Sequence, residues 1–180
     1  MTRWVMLLRG INVGGKGKLA MADLRALLTR LGAETVATYI QSGNVVFSGL
    51  VDAAVFEEIV AREIELSHGF RPRVLVIVEE DFREIVAAYP FAAAFDAPKT
   101  GHVWFLTGPA APDRAALAAL ASDTERFEIA ARAFYVHAPD GIGRSKLAER
   151  AERLLGVPAT ARNLNTCRKL VTMLDTSAQG

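Results

Sequence analysis

Two short stretches set glycines beside cations, and that pairing is the chemistry most visible in the sequence. The first is Gly10-Ile11-Asn12-Val13-Gly14-Gly15-Lys16-Gly17-Lys18, preceded by Arg9. The second is Gly141-Ile142-Gly143-Arg144-Ser145-Lys146. Neither stretch contains a carboxylate. Glycines let backbone N–H groups close in on an anion, and a helix start adds partial positive charge. Each stretch leads into an apolar run at helical spacing, so each is a candidate phosphate site. Glycine is also used in such turns simply to reach positive φ, and that plainer reading stands beside the functional one.

Other chemistries find little support. Gly10-x4-Gly15-Lys16 matches the start of a nucleotide P-loop, but Gly17 stands where Ser or Thr would hold magnesium. Nucleotide hydrolysis of that type is excluded. The single cysteine, Cys167, falls on an apolar helical stripe and reads as a small core residue. His68, His102 and His137 lie far apart and show no metal-ligand spacing. No metal and no cofactor is expected. No pair of carboxylates stands within the glycine motifs, and amides and cations rarely move protons at neutral pH. The residues therefore name no reaction.

The elements that must position these motifs follow from periodicity. Residues 3–9 (RWVMLLR) read as a mostly buried strand. Met21, Leu24, Leu27, Leu28 and Leu31 lie on one face of a helix that Gly32 ends. Residues 35–41 and 44–48 read as strands joined at Ser42-Gly43, a hairpin turn. Asp52 is the N-cap of a helix carrying Val55, Phe56, Ile59, Val60 and Ile64. Residues 73–78 (RVLVIV) form the next strand, and a helix follows over residues 80–88. The first half thus reads β-α-β-β-α-β, the split βαβ or ferredoxin-like order.

A linker over residues 91–101 carries Pro98 and Gly101 and marks the domain boundary, giving units over residues 1–90 and 91–180. The second half repeats the order with a strand at 102–106, a helix at 112–121 and a hairpin from 126–131 and 134–138. Ser145 then caps a helix. Pro158 breaks the chain, and a last helix carries Leu164, Cys167, Val171 and Leu174 on one stripe. The fold class is α+β, two ferredoxin-like units in tandem, the second ending in helices.

In a ferredoxin-like sheet the first strand lies centrally, antiparallel to strands three and four. The end of strand one at Arg9 therefore sits beside Asn44 and Arg73. One rim then gathers Arg9, Asn12, Gly14, Gly15, Lys16, Gln41, Ser42 and Asn44, again without a carboxylate. Strands one and three offer only Trp4 and Phe47 for stacking bases, without the aromatic pattern of RNA-recognition motifs. A second basic, amide-rich surface is expected around Arg162 and Asn163, with Asn163 as a helix cap.

The chain has 180 residues, 51% hydrophobic and 23% charged, a composition that fits a packed core and excludes intrinsic disorder. The net charge of +1 conceals an asymmetry: residues 1–19 carry +4, residues 20–140 carry −7, and residues 141–180 carry +4. Locally basic surfaces attract anions even on a neutral molecule. The uncharged, mostly apolar stretch 85–95 is eleven residues with Pro90 inside it, far short of the roughly 20 apolar residues of a membrane span. With one cysteine and no signal-peptide layout, the expectation is a soluble cytoplasmic protein.

Several segments together resemble a known family. These are Arg9-Gly-Ile-Asn-Val-Gly-Gly-Lys16, Met21-x-x-Leu24-Arg25 and Tyr39-Ile-Gln-Ser-Gly-Asn-Val-Val-Phe47. Toward the C-terminus they are Gly143-Arg-Ser-Lys-Leu147, Thr160-Ala-Arg-Asn-Leu-Asn-Thr166 and Lys169-Leu170. They are similar to the family catalogued as domain of unknown function 1697, across nearly the whole chain. The resemblance implies a small bacterial cytoplasmic protein with an α+β fold related to ferredoxin-like units, and it implies no activity. Leu164 stands where that family usually has Trp, and Cys167 where an aliphatic residue is usual.

The function expected from the residues is binding of a phosphate-bearing ligand, either a nucleotide-like metabolite or a nucleic-acid backbone, at the glycine-rich basic loops. The alternatives are an enzyme of unknown class acting on such a ligand, or a protein-interaction module whose glycine motifs only shape turns.

Overall fold

β1 (Arg3–Arg9) is central to its sheet because nearly every residue in it can be buried. It pairs antiparallel with β3 (Asn44–Ser48) on one side and β4 (Arg73–Val78) on the other. β2 (Glu34–Tyr39) adds to β3, so the order is β2-β3-β1-β4. The structure is a computed structural model, and its described residues are 1–176.

Side chains of period two face the helices. Met6, Leu8, Val45, Phe47, Val74 and Val76 form one buried layer. α1 (Met21–Arg30) and α2 (Ala53–His68) close over it with Leu24, Leu28, Phe56, Val60 and Ile64. Burying one such side chain stabilises the fold by about 2 kcal/mol. Asp52 caps α2 as its position before the apolar run predicts, its carboxylate accepting from Val55 N–H at 3.0 Å. Gly69, at φ 75°, ends the helix in the left-handed conformation.

The second unit repeats the plan. β5 (Gly101–Leu106), α4 (Arg114–Leu120), β6 (Arg126–Ile129), β7 (Ala133–His137), α5 (Lys146–Leu155) and β8 (Ala159–Asn163) give a sheet of order β6-β7-β5-β8. Its core sets Trp104, Leu106, Phe134 and Val136 against Leu117, Leu147, Ala151 and Leu155. The expected α+β architecture of two ferredoxin-like units is what the chain forms. β8 is the element that periodicity misses. Ala-Thr-Ala-Arg-Asn has weak strand propensity, yet it pairs in register with β5 from Leu106↔Ala159 to His102↔Asn163. The second unit therefore also ends its sheet in a strand, and α6 (Leu164–Thr176) follows it as α3 (Glu79–Ala87) follows β4.

By contact, one unit comprises Met1–Arg83 with the described residues from Lys169 onward, and the other comprises Glu84–Arg168. The divisions fall inside α3 and inside α6. No helix among the described residues is long and apolar enough to cross a membrane.

Candidate functional site

The first glycine loop folds into a miniature hairpin. Val13 and Lys16 exchange both backbone hydrogen bonds, at 3.2 and 3.0 Å. Gly14 (φ 56°) and Gly15 (φ 75°) occupy the two central positions between them. Two consecutive left-handed residues define the primed turn that suits a tight hairpin, and glycine meets that need without strain. One step outward, the Asn12 N–H donates to the Gly17 carbonyl at 2.8 Å. A Cβ on Gly17 would lie 2.3 Å from the Gly10 carbonyl oxygen, so nothing larger fits there.

Two asparagines hold the rim together. Asn12 Nδ2 donates to the carbonyls of Leu19 and Gln41, each at 2.8 Å, and its Oδ1 accepts from Leu19 N–H at 3.0 Å. Asn44 is fully buried, and its Nδ2 donates to the Tyr39 carbonyl and to Ser42 Oγ, each at 3.0 Å. Arg9 stands directly opposite Arg73 in the β1–β4 register. Lys16 is exposed.

Part of the expected peptide cradle is taken up within the first loop itself. The N–H groups of Asn12, Val13 and Lys16 are consumed by the loop's own carbonyls. The α1 N-terminus lies past buried Leu19, and Asp23 in its first turn already supplies negative charge. The cations Arg9 and Lys16 remain at the rim, but Asn12 and Asn44 are structural clips.

The second loop keeps more room. Gly141 (φ 96°) turns the chain into a short 3-10 turn over Ile142–Arg144. Ser145 Oγ then caps α5 by accepting from Ala148 N–H at 3.0 Å. Arg144, Ser145 and Lys146 line a cavity of about 480 Å³ whose other walls include Leu120, Ser122, Glu125, Ala138 and Asp140. Its acidic groups are engaged: Glu125 accepts from Ser122 N–H at 2.9 Å, and Asp140 accepts from Thr124 Oγ1 at 2.6 Å. Arg144 and Lys146 are exposed and form no ion pair among the described residues. The β7–α5 loop leaves the end of the sheet where β5 begins, whereas the β1–α1 loop leaves the end where β1 finishes. The two glycine loops are therefore not equivalent positions of the repeated plan.

Arg162 and Asn163 are not brought to this cavity. Both lie in β8; Arg162 donates to the Ala161 carbonyl at 2.8 Å, and Asn163 caps α6 by accepting from Thr166 N–H at 3.0 Å. Burial lowers the Arg162 guanidinium to about 10, partly opposed by Cys167. Burial pushes the Cys167 thiol up to about 12 despite that guanidinium. A thiol so protonated is no nucleophile at neutral pH. Among the described residues no cluster of His, Cys, Asp and Glu could hold a metal ion.

His102, set aside above as a metal ligand, has surroundings that its spacing in the sequence does not show. It is 7% exposed, and its Nδ1 has no hydrogen-bond partner. Its strand position was legible, but an unpartnered ring nitrogen depends on the surrounding packing and leaves no sequence signal.

A family model described as "Protein of unknown function (DUF1697)" matches residues 1–135. The chain belongs to this family. A solved structure, that of a conserved bacterial protein from Streptococcus pneumoniae, is 28% identical, with a TM-score of 0.67. The match covers 96% of this chain and 98% of that one, so it spans both units. No curated protein matches the chain.

Proposed function

We propose that this member of the family binds a phosphate-bearing ligand in the cavity at the start of α5. One observation carries the reading. Arg144 and Lys146, both exposed, border a cavity of about 480 Å³ whose carboxylates are already engaged by Ser122 and Thr124. A carboxylate held by its own donors competes less for those cations, leaving them to an incoming anion. The positive end of α5 adds to the same field, offset in part by Glu149 in its first turn. The volume falls within the roughly 300–1,000 Å³ of small-molecule sites. That favours a nucleotide-like metabolite over a nucleic-acid backbone.

Thermal-shift measurements with inorganic phosphate and with nucleoside mono- and diphosphates test this. A ligand at 100 times its Kd stabilises the native state by about 2.7 kcal/mol and raises Tm accordingly. The double variant Arg144→Ala, Lys146→Ala should lose that rise while keeping its own Tm close to wild type. A shallow salt dependence is expected, since a polyanion would release many counterions and show a steep one. An equal shift in the double variant, or no shift with any of these ligands, overturns the reading.

A further inference from the structure

The cavity at the start of α5 has two chemically different parts, and the phosphate reading uses only the cations Arg144 and Lys146. Glu125 lines the same cavity, yet it is only 7% exposed. Its N–H donates to the Ser122 carbonyl at 3.1 Å, and its Oε2 accepts from Ser122 N–H at 2.9 Å. The carboxylate is thus locked by its own turn. Neighbouring Arg126 donates to the carbonyls of Asp123 and Glu125 and leaves the carboxylate alone. Among the described residues, Glu125 Oε1 has no donor. An ionised carboxylate accepts through both oxygens, at about four sites. A nine-tenths-buried acceptor with unused capacity therefore stands in the cavity wall. Asp140, from the β7–α5 loop, accepts from Thr124 Oγ1 at 2.6 Å and ties that loop to the turn carrying Glu125. The acceptor and the cations are held in place before a ligand arrives, which lowers the ordering cost of binding. The apolar part of the wall is Ala119, Leu120 and Ala138, and no aromatic residue lines the cavity.

We propose, resting on the phosphate reading of the same site, that the ligand is a sugar phosphate: a phosphate monoester whose phosphate meets Arg144 and Lys146 while a hydroxyl donates to Glu125 Oε1. A hydrogen bond to an ionised acceptor is stronger than a neutral one and discriminates against analogues that lack the donor. The donor is a hydroxyl rather than an ammonium, because Arg144 and Lys146 border the same cavity and repel a third cation. The Glu125 carboxylate in turn repels a second phosphate, which disfavours diphosphates and polyanions. A nucleobase finds no aromatic face to stack on. The ribose-phosphate half of a nucleotide is therefore the part that the cavity matches.

Isothermal titration calorimetry on the full chain at low salt tests this with four probes: ribose 5-phosphate, butyl phosphate, phosphoethanolamine and inorganic phosphate. Ribose 5-phosphate should bind about tenfold more tightly than each of the others. Glu125→Gln keeps a carbonyl oxygen for Ser122 N–H but sets an NH2 where the free acceptor stood. It should weaken ribose 5-phosphate by about tenfold and leave inorganic phosphate unchanged or tighter, since a negative charge has gone. Retained binding of inorganic phosphate shows that the variant is folded; should it not fold, the comparison of ribose 5-phosphate with butyl phosphate in wild type decides by itself. Equal binding of butyl phosphate, tighter binding of phosphoethanolamine, or an unchanged ribose 5-phosphate affinity in a folded Glu125→Gln overturns the sugar-phosphate assignment and leaves the phosphate reading standing. Failure of all four probes to bind, inorganic phosphate included, overturns both.

Discussion

Asn12 shows how one side chain decides what a loop is for. At φ 52° it tolerates a left-handed backbone that asparagine accepts more readily than most residues. Its amide makes three hydrogen bonds that tie the hairpin to Leu19 and to the β2–β3 turn. Asn12→Ala should therefore lower unfolding stability by about 1–3 kcal/mol, the cost of leaving such partners unsatisfied. Urea denaturation measures this, and a loss near zero would show that water replaces the clip without cost. Gly43 belongs to the same arrangement. Its Cβ would lie 2.7 Å from both Leu8 and Ile11, and its carbonyl accepts from Leu8 N–H at 2.8 Å. A sequence displays these glycines and amides, but it does not say whether they face an anion or each other. Asn12 and Asn44 were legible as rim residues, and the direction of their donors was not.

At the scale of elements, edge strands need partners for their outward N–H groups. β4 is an edge strand, and α2 supplies one such partner, with Glu57 Oε1 accepting from Val76 N–H at 2.7 Å. Burial raises the Glu57 carboxyl above its usual value, and the Val76 hydrogen bond only partly offsets this. A carboxyl whose folded pKa is raised stabilises the fold below its unfolded value and loses that contribution as pH rises through the folded one. Glu57→Gln keeps an oxygen acceptor for Val76 without the charge. It should therefore be at least as stable as wild type at pH 7, with the advantage fading below about pH 4.5. Denaturation midpoints at pH 7 and pH 4 check the sign. β8 makes the complementary point. Five residues of indifferent propensity become a strand because β5 presents an open edge and Gly156, left-handed at φ 69°, has already ended α5.

At the scale of the whole molecule, buried ionisable groups bound the pH range of the fold. His102 has its pKa lowered, first by burial, with a hydrogen bond to the Thr100 backbone opposing. A histidine with a depressed folded pKa keeps the fold at full stability above its unfolded value, about 6.5, and stability falls as pH drops toward the folded value. Wild type should be less stable at pH 5.5 than at pH 7.5, and His102→Asn should flatten that difference. Chemical denaturation at the two pH values decides it; an unchanged slope in the variant would assign the loss to other groups.

The order of elements as far as α5, the caps at Asp52, Ser145 and Asn163, and the membership of the apolar layers were written in the sequence. Each rests on local spacing: period two on strands, 3.6 on helices, and a short polar side chain just before an apolar run. Tertiary structure alone decided that 159–163 is a strand, that Asn12, Val13 and Lys16 donate within the first glycine loop, and that Arg144 and Lys146 border a cavity whose lining does not include Arg162. Those outcomes turn on which donor meets which acceptor across the fold. Hydrogen-bond direction and cavity shape belong to pairs of residues far apart in the chain, and linear spacing carries no record of them.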